Sequence, residues 1–404
     1  MPWVVADHGA DGSADLARTI ETALDRLTPP GRLAVAVSGG GDSMALLAIA
    51  ARWADARNRE LLAVTVDHGL RIESAAEAEF VADFAARIGV AQRTLKAVAM
   101  APGNLSAAAR DARYSLMADW AAKEGIGAVA LGHTMDDQAE TLLMRLARGS
   151  GVDGLSAMAA RRNWRGIAWI RPMLAIRRAD LRRWLQAEDI AWVEDPTNED
   201  AAFDRVKARR ALVTLEPLGI TVEGLARTTQ VLARQRRVLS RAAAELEALA
   251  VRHGEFGEAH LLPAAFAKAE YDTGLRVFGN VLAQVSGRRP RARVLEPAFA
   301  RLFGRSAIDW GADTNADDSG NGIADGAAEA PPAMTLGGCL VLPGAVGESI
   351  LICREPGAAA GPVPLDAETL IWDSRWLITA PSLPKSEWLV GALGPHGCSH
   401  LRRA

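Results

Sequence analysis

The chain has 404 residues, of which 49% are hydrophobic and 24% charged, with a formal net charge of −3. That length supports two or three domains, and that balance is the ordinary one of a soluble globular protein. No stretch approaches the roughly 18 uninterrupted apolar residues of a membrane span. The acidic first residues lack a basic-then-apolar signal, so a cytoplasmic location and no membrane partner are expected.

Residues 14–27 place Leu16, Ile20, Ala23, Leu24 and Leu27 at helical spacing, and Pro29, Pro30 and Gly31 stop the pattern, so 1–30 reads as a helical lead-in. A run of small apolar residues, 33–37, then predicts a buried strand. It breaks at Ser38 into Gly39, Gly40, Gly41, Asp42 and Ser43, after which an apolar helical pattern covers 44–56. Consecutive glycines let the backbone turn without a Cβ clash. The helix that follows opens with N–H groups lacking helical partners, so the turn is a cradle for an anion, phosphate above all. It is not a Walker A loop, since no Gly-Lys-Ser/Thr follows, and its glycine spacing fails the dinucleotide fingerprint.

Short strands predicted at 61–66, 92–98, 128–131 and 167–170 alternate with helices predicted at 74–88, 104–123, 136–147 and 179–187, and Ser74 with Glu77 forms a capping box. Such alternation predicts an α/β fold over 31–216, an open and mostly parallel sheet with helices on both faces. Ligands of such sheets sit at the carboxyl ends of strands. That rule gathers the loop 38–43, the run DHGLR at 67–71 and Gly132 with His133 into one site.

Beyond the first domain the chain turns to helix formers over 222–253, 274–285 and 293–302, which predicts a helical domain spanning 217–303. Residues 304–333 are rich in Gly, Ala, Asp and Asn and read as a flexible linker. A small C-terminal region, 334–404, carries strand-like runs at 336–342 and 349–352. Basic residues cluster despite the acidic balance: Arg161 to Arg183, then Arg205 to Arg210, Arg234 to Arg241 and Arg288 to Arg293. Each run alone suits a solvated helix face; four together point towards nucleic acid. The three cysteines, Cys339, Cys353 and Cys398, have no metal-binding spacing and lie far from the glycine loop.

The loop SGGGDS resembles the PP-loop of the N-type ATP pyrophosphatases, which split ATP between its α- and β-phosphates. Together with DHGLR (67–71), GNLSAAARDARY (103–114), GHTMDDQAETLLMRLARGSGVDGLSAM (132–158) and EDPTN (194–198), it resembles the tRNA(Ile)-lysidine synthetase family. The resemblance implies an enzyme that adenylates the C2 oxygen of the wobble cytidine in the CAU anticodon of tRNA(Ile), releasing pyrophosphate. The ε-amine of free L-lysine then attacks C2 and expels AMP.

On that resemblance Ser38, Gly39, Gly40, Gly41, Asp42 and Ser43 would hold the phosphates of ATP. Magnesium, which keeps water and takes one or two carboxylates, would fall to Asp42 and Asp137, with Asp136 a weaker candidate. At Asp137 a helix N-terminal charge is an equally good account. Arg113 would reach the α-phosphate or the adenylate, and His133 the intermediate or the leaving phosphate. Glu140 would meet lysine or magnesium, and Arg205 and Arg209 the lysine or the tRNA. Lys207 stands where arginine is commoner in the family, and it lacks the bidentate fork. The arginines of the helical domain would grip tRNA phosphates. Oligomeric state is open, a homodimer included. Rival assignments are a sulfur-transfer PP-loop enzyme, disfavoured by the placement of the cysteines; an amide-forming ligase, which would leave the basic helical segment unexplained; and an RNA-binding module without turnover.

Overall fold

The computed structural model describes residues 12–67, 73–96, 105–194, 204–304, 332–346 and 348–361, with short stretches 363–364, 369–373, 376–379 and 389–390 beyond them. The chain divides into two compact units, residues 1–236 and 237–404.

The first unit is built on six strands, β1 (Arg32–Ala36), β2 (Leu61–Asp67), β3 (Ala91–Lys96), β4 (Ile126–Leu131), β5 (Arg161–Trp164) and β6 (Ile167–Ile170). Their order is β3-β2-β1-β4-β6-β5, and all neighbours are parallel except the β5–β6 pair. β5 has no counterpart in the sequence reading, because Arg161, Arg162 and Asn163 are exposed and give no apolar alternation. β1 lies between β2 and β4, so the chain winds one way from β1 to β3 and the other way from β4. The carboxyl ends of β1 and β4 therefore flank the switch point where open α/β sheets bind ligands.

Burial on both faces explains the apolar runs. On one face Leu33 and Val35 pack with α1 (Gly12–Leu27), α2 (Gly41–Ala56), α3 (Glu73–Arg87) and a later helix at Arg178–Ala187, through Ile20, Leu47, Trp53, Phe84 and Leu185. On the other, Ala34, Val64 and Val129 meet Met117 and Trp120 of α4 (Leu105–Lys123). α3 starts at Glu73, which places Ser74 inside its first turn rather than at the expected cap. After β4 come α5 (Met135–Leu146) and the short α6 (Val152–Leu155), and after β6 come α7 (Arg178–Ala187) and α8 (Asp204–Leu215).

The division between the units falls inside α9 (Val222–Ala250). The segment 217–303 is not wholly helical. β7 (Val251–His253) and β8 (Ala259–Leu261) interrupt it before α10 (Pro263–Ala267), α11 (Tyr271–Ser286) and α12 (Ala292–Phe303). β8 pairs with β11 (Ser349–Arg354), which continues through β10 (Cys339–Val346) to β9 (Met334–Leu336), giving one sheet ordered β7-β8-β11-β10-β9. The helical segment and the tail thus share a core of Phe266, Phe278, Phe299, Cys339, Val341 and Ile350. The run expected as one strand at 336–342 is a hairpin corner, with Gly337 and Gly338 at φ 60° and 82°. Both glycines have the positive φ that a tight two-residue hairpin turn demands. The linker expected at 304–333 lies almost wholly outside the described residues. No helix among the described residues is long and apolar enough to cross a membrane.

Candidate active site

The glycine loop connects β1 directly to α2. Of its three glycines only Gly39 takes positive φ, at 83°; Gly40 is extended and caps α2, and Gly41 is already helical. Ser43 braces the turn: its Oγ accepts the Ser38 N–H at 3.1 Å and donates to the Gly40 carbonyl at 2.8 Å. The Gly39 carbonyl accepts from Val193 N–H at 2.9 Å. Gly40 has no side chain to cap α2, so the start of that helix is free for an anion.

β4 ends against this loop. A Cβ on Gly132 would lie 3.2 Å from the carbonyl carbon of Asp42 and from the backbone of Ser43, so a side chain there would press on the loop. Next, Thr134 caps α5 in a reciprocal capping box with Asp137. Asp137 Oδ2 accepts from both the N–H and the hydroxyl of Thr134 at 2.9 Å. The helix-terminus account of Asp137 is therefore realised, and its Oδ1 is left to face Arg205 Nη1 at 3.3 Å.

Three carboxylates converge on Arg178, the first residue of α7. Its Nε donates to Asp42 Oδ2 at 3.0 Å, its Nη1 to Glu140 Oε1 at 3.2 Å, and its Nη2 lies 3.4 Å from Asp137 Oδ2. Its backbone N–H donates to Asp136 Oδ2 at 2.7 Å, so Asp136 caps α7 and also pairs with Arg177. Glu140 is 1% exposed; Arg209 Nε donates to its Oε1 at 3.1 Å, while its Oε2 is buried with no hydrogen-bond partner among the described residues. Arg205 and Arg209, four residues apart on one face of α8, thus oppose Asp137 and Glu140, three apart on α5.

These pairings set the charge states. Burial pushes the Asp42 carboxyl up to about 6, against the opposing pull of Arg178. Burial alone would raise Asp137 too, but Arg178, His133, Arg205 and the Thr134 N–H outweigh it and hold that carboxyl below the ordinary range. Burial likewise works against the Arg178 charge, but Asp137, Asp42 and Glu140 outweigh it, and the guanidinium pKa rises. Burial drives His133 well below the usual imidazole range, so it is neutral at pH 7, and its Nδ1 is buried without a partner. A neutral ring can orient a phosphate by one hydrogen bond but cannot neutralise it.

Arg113 projects from α4, its Nε buried and unpartnered and its guanidinium 5.9 Å from the Tyr114 ring, which rests 4.6 Å from Trp169. Among the described residues Lys207 pairs with Asp204 alone, at 3.8 Å on its own helix. Residues 68–71, 103–104 and 195–198 of the sequence motifs lie outside the described residues. Arg178 was missed as a site residue, since it sits in a basic run with Arg177, Arg182 and Arg183 and nothing local sets it apart.

Comparison with known proteins gives a consistent result. The PP-loop domain family matches residues 13–216. The tRNA(Ile)-lysidine synthase of Ruegeria pomeroyi is 40% identical over 380 residues, covering 93% of this chain and 83% of that protein. That of Methylobacterium nodulans is 42% identical over 287 residues, 70% of this chain and 84% of the relative. That of Mesorhizobium japonicum reaches 51% identity over 189 residues, 44% and 41% of the two chains.

Proposed function

The chain belongs to the PP-loop domain family and, within it, to the tRNA(Ile)-lysidine synthases, and from that premise we propose how its residues share the reaction. The enzyme is a ligase that forms a carbon–nitrogen bond at the expense of ATP. Its substrate is the tRNA(Ile) with a CAU anticodon, and its second substrate is free L-lysine. The wobble cytidine leaves its stack to meet the nucleotide. Its C2 oxygen attacks the α-phosphate, pyrophosphate departs, and the lysine ε-amine then displaces AMP at C2.

The observation that carries this reading is the convergence of Asp42, Asp137 and Glu140 beside an uncapped helix start at the sheet's switch point. The backbone of Ser38 to Ser43 cradles the phosphates, with Ser43 holding the turn in shape. Arg113, half-buried with its Nε unpartnered among the described residues, would meet the α-phosphate, and neutral His133 would donate one hydrogen bond at the reacting phosphate.

The donor set also fits magnesium. No group of three or more His, Cys, Asp or Glu among the described residues is arranged to hold a metal by itself. Asp42 and Asp137 nevertheless share one cation in Arg178, and two carboxylates completed by nucleotide phosphates are a usual magnesium environment. Magnesium bound there would draw charge from the phosphates as pyrophosphate leaves. Glu140, with its orphaned Oε2, orients the lysine ammonium, and Arg205 and Arg209 position the α5 carboxylates rather than meeting substrate first. The exposed arginines of the second unit, Arg237, Arg241, Arg288, Arg291 and Arg293, hold tRNA phosphates. Cys339 is spent on its core, donating to the Leu282 carbonyl, which leaves the sulfur-transfer alternative without a reagent there.

The test is incorporation of radiolabelled lysine into tRNA transcripts. Label should enter tRNA(Ile) only when ATP is present and should not enter tRNA(Met), which has the same CAU triplet. Label-free tRNA(Ile), with ATP consumed in favour of a sulfur donor, would defeat the proposal. In parallel, Asp42→Asn should abolish pyrophosphate release while tRNA affinity stays within about twofold; lost tRNA binding would make Asp42 structural.

A further inference from the structure

The role of Arg178 follows from how its nitrogens are used. Nε, Nη1 and Nη2 each meet a different carboxylate, Asp42, Glu140 and Asp137, drawn from α2 and α5. Arg205 takes the other oxygen of Asp137, Oδ1, at 3.3 Å, and Arg209 shares Glu140 Oε1 with Arg178, at 3.1 Å. Three carboxylates thus face three guanidinium groups, and these protein groups balance one another's charge. A divalent ion added alone would need the oxygen atoms that Arg178 holds and would leave the cluster with excess positive charge. An ion arriving with nucleotide brings phosphate oxygens, which suit the same planar fork.

The anchoring of Arg178 allows such an exchange. Its backbone N–H is fixed to Asp136 at the start of α7, at 2.7 Å, so the side chain can turn while the helix stays in place. Glu140 Oε2 is buried without a hydrogen-bond partner among the described residues, so the three guanidinium groups leave one acceptor of the cluster unsatisfied. Resting on the nucleotide-site reading above, we propose that Arg178 is a resident counter-cation. It fills the place of the metal until nucleotide arrives, then transfers its fork from Asp42 and Asp137 to phosphate. Metal therefore enters only with nucleotide. A protein that must first free a carboxylate pair pays for it in apparent affinity.

Manganese serves as the probe, followed by electron paramagnetic resonance on the full-length chain. Without nucleotide the wild type should bind Mn2+ weakly, and Arg178→Gln should bind it roughly tenfold more tightly or better. With α,β-methylene-ATP, which cannot be cleaved at the reacting bond, both should bind it. Equal or weaker nucleotide-free binding by Arg178→Gln overturns the proposal. A second measurement needs no variant that removes the charge. The Nε–H resonance of Arg178, assigned by its absence in Arg178→Lys, should move when Mg2+ and α,β-methylene-ATP are added together and stay when Mg2+ is added alone. A resonance that ignores both overturns the proposal while leaving the nucleotide site intact. Failure of the analogue to bind wild type at all would instead remove the nucleotide site, and the proposal with it.

Discussion

Asp42 is held by two opposed forces. Burial penalises its charge, while Arg178 at 3.0 Å rewards it, and the balance leaves the carboxyl raised from its ordinary 3.8 to about 6. The sign of its effect on stability follows. Because the folded state holds this proton more tightly than the unfolded chain, stability falls as pH rises from about 4 to about 6 and is level above that. A shift of this size is worth about 3 kcal/mol. Asp137 acts in the opposite sense: its carboxyl is depressed, so its contribution is complete above the unfolded value and is lost as pH falls further. The nucleotide-free Asp42→Asn protein should therefore lack the decline between pH 4 and 6, gaining about 3 kcal/mol on wild type across that window. Hydrogen exchange of the β1 and β4 amides in urea at several pH values would read it, and a pH-independent difference would mean that Asp42 ionises normally. The strand-end rule brought Asp42 and His133 together in the sequence, and the family resemblance added Asp137 and Glu140, which share Arg178 with Asp42. Arg178 was not legible there, because its meaning lies in Asp42, 136 positions away, and Glu140, 38 positions away.

At the scale of elements, strand ends and helix starts set the site, and Gly132 is where two of them meet. Gly132→Ala would press a methyl to 3.2 Å from the Asp42 and Ser43 backbone, so the loop must give by a few tenths of an ångström. The expected result is a raised KM for ATP with the KM for tRNA unchanged; an unaltered ATP dependence would show that the loop yields without cost. The parallel sheet was readable because β1, β2, β4 and β6 are apolar on both faces and each is followed by a helix. The second sheet was readable only in part: β10 and β11 overlap the strand-like runs expected at 336–342 and 349–352, but β7 and β8 have three residues each, and β8 finds its partner β11 only near residue 350. Local periodicity carries no trace of so distant a pairing. The consequence is that the tail is structural. A chain ending at residue 303 loses β9, β10 and β11 and uncovers Leu261 and Phe278, both fully buried. Amides of β8 should then exchange rapidly, and an apolar dye should bind. Unchanged protection of β8 would separate the tail from this core. Within the intact chain, Phe299→Ala should cost about 3–5 kcal/mol, measured by the same β8 amides.

Over the whole molecule the charge is −3, so tRNA gains nothing from net attraction and must be met by local patches. Arg237 and Arg241 are exposed on successive turns of α9, and Arg288, Arg291 and Arg293 are exposed around the start of α12. Contacts of this kind release counterions from the phosphate backbone, and each adds close to one unit to the slope of log affinity against log salt. They carry no base information, so they cannot tell one CAU tRNA from another. Replacing Arg237 and Arg241 together by glutamine should weaken binding of tRNA(Ile) and tRNA(Met) alike and flatten the salt slope by about two units. Lysidine formation at saturating tRNA should persist, because the groups proposed to carry the reaction are Asp42, Asp137, Glu140 and their arginines rather than these two. A loss confined to tRNA(Ile) would instead make these arginines part of discrimination, and an unchanged slope would move the phosphate contacts to another face. Filter binding across a salt series with both tRNAs, beside a single-turnover lysine assay, separates the three outcomes.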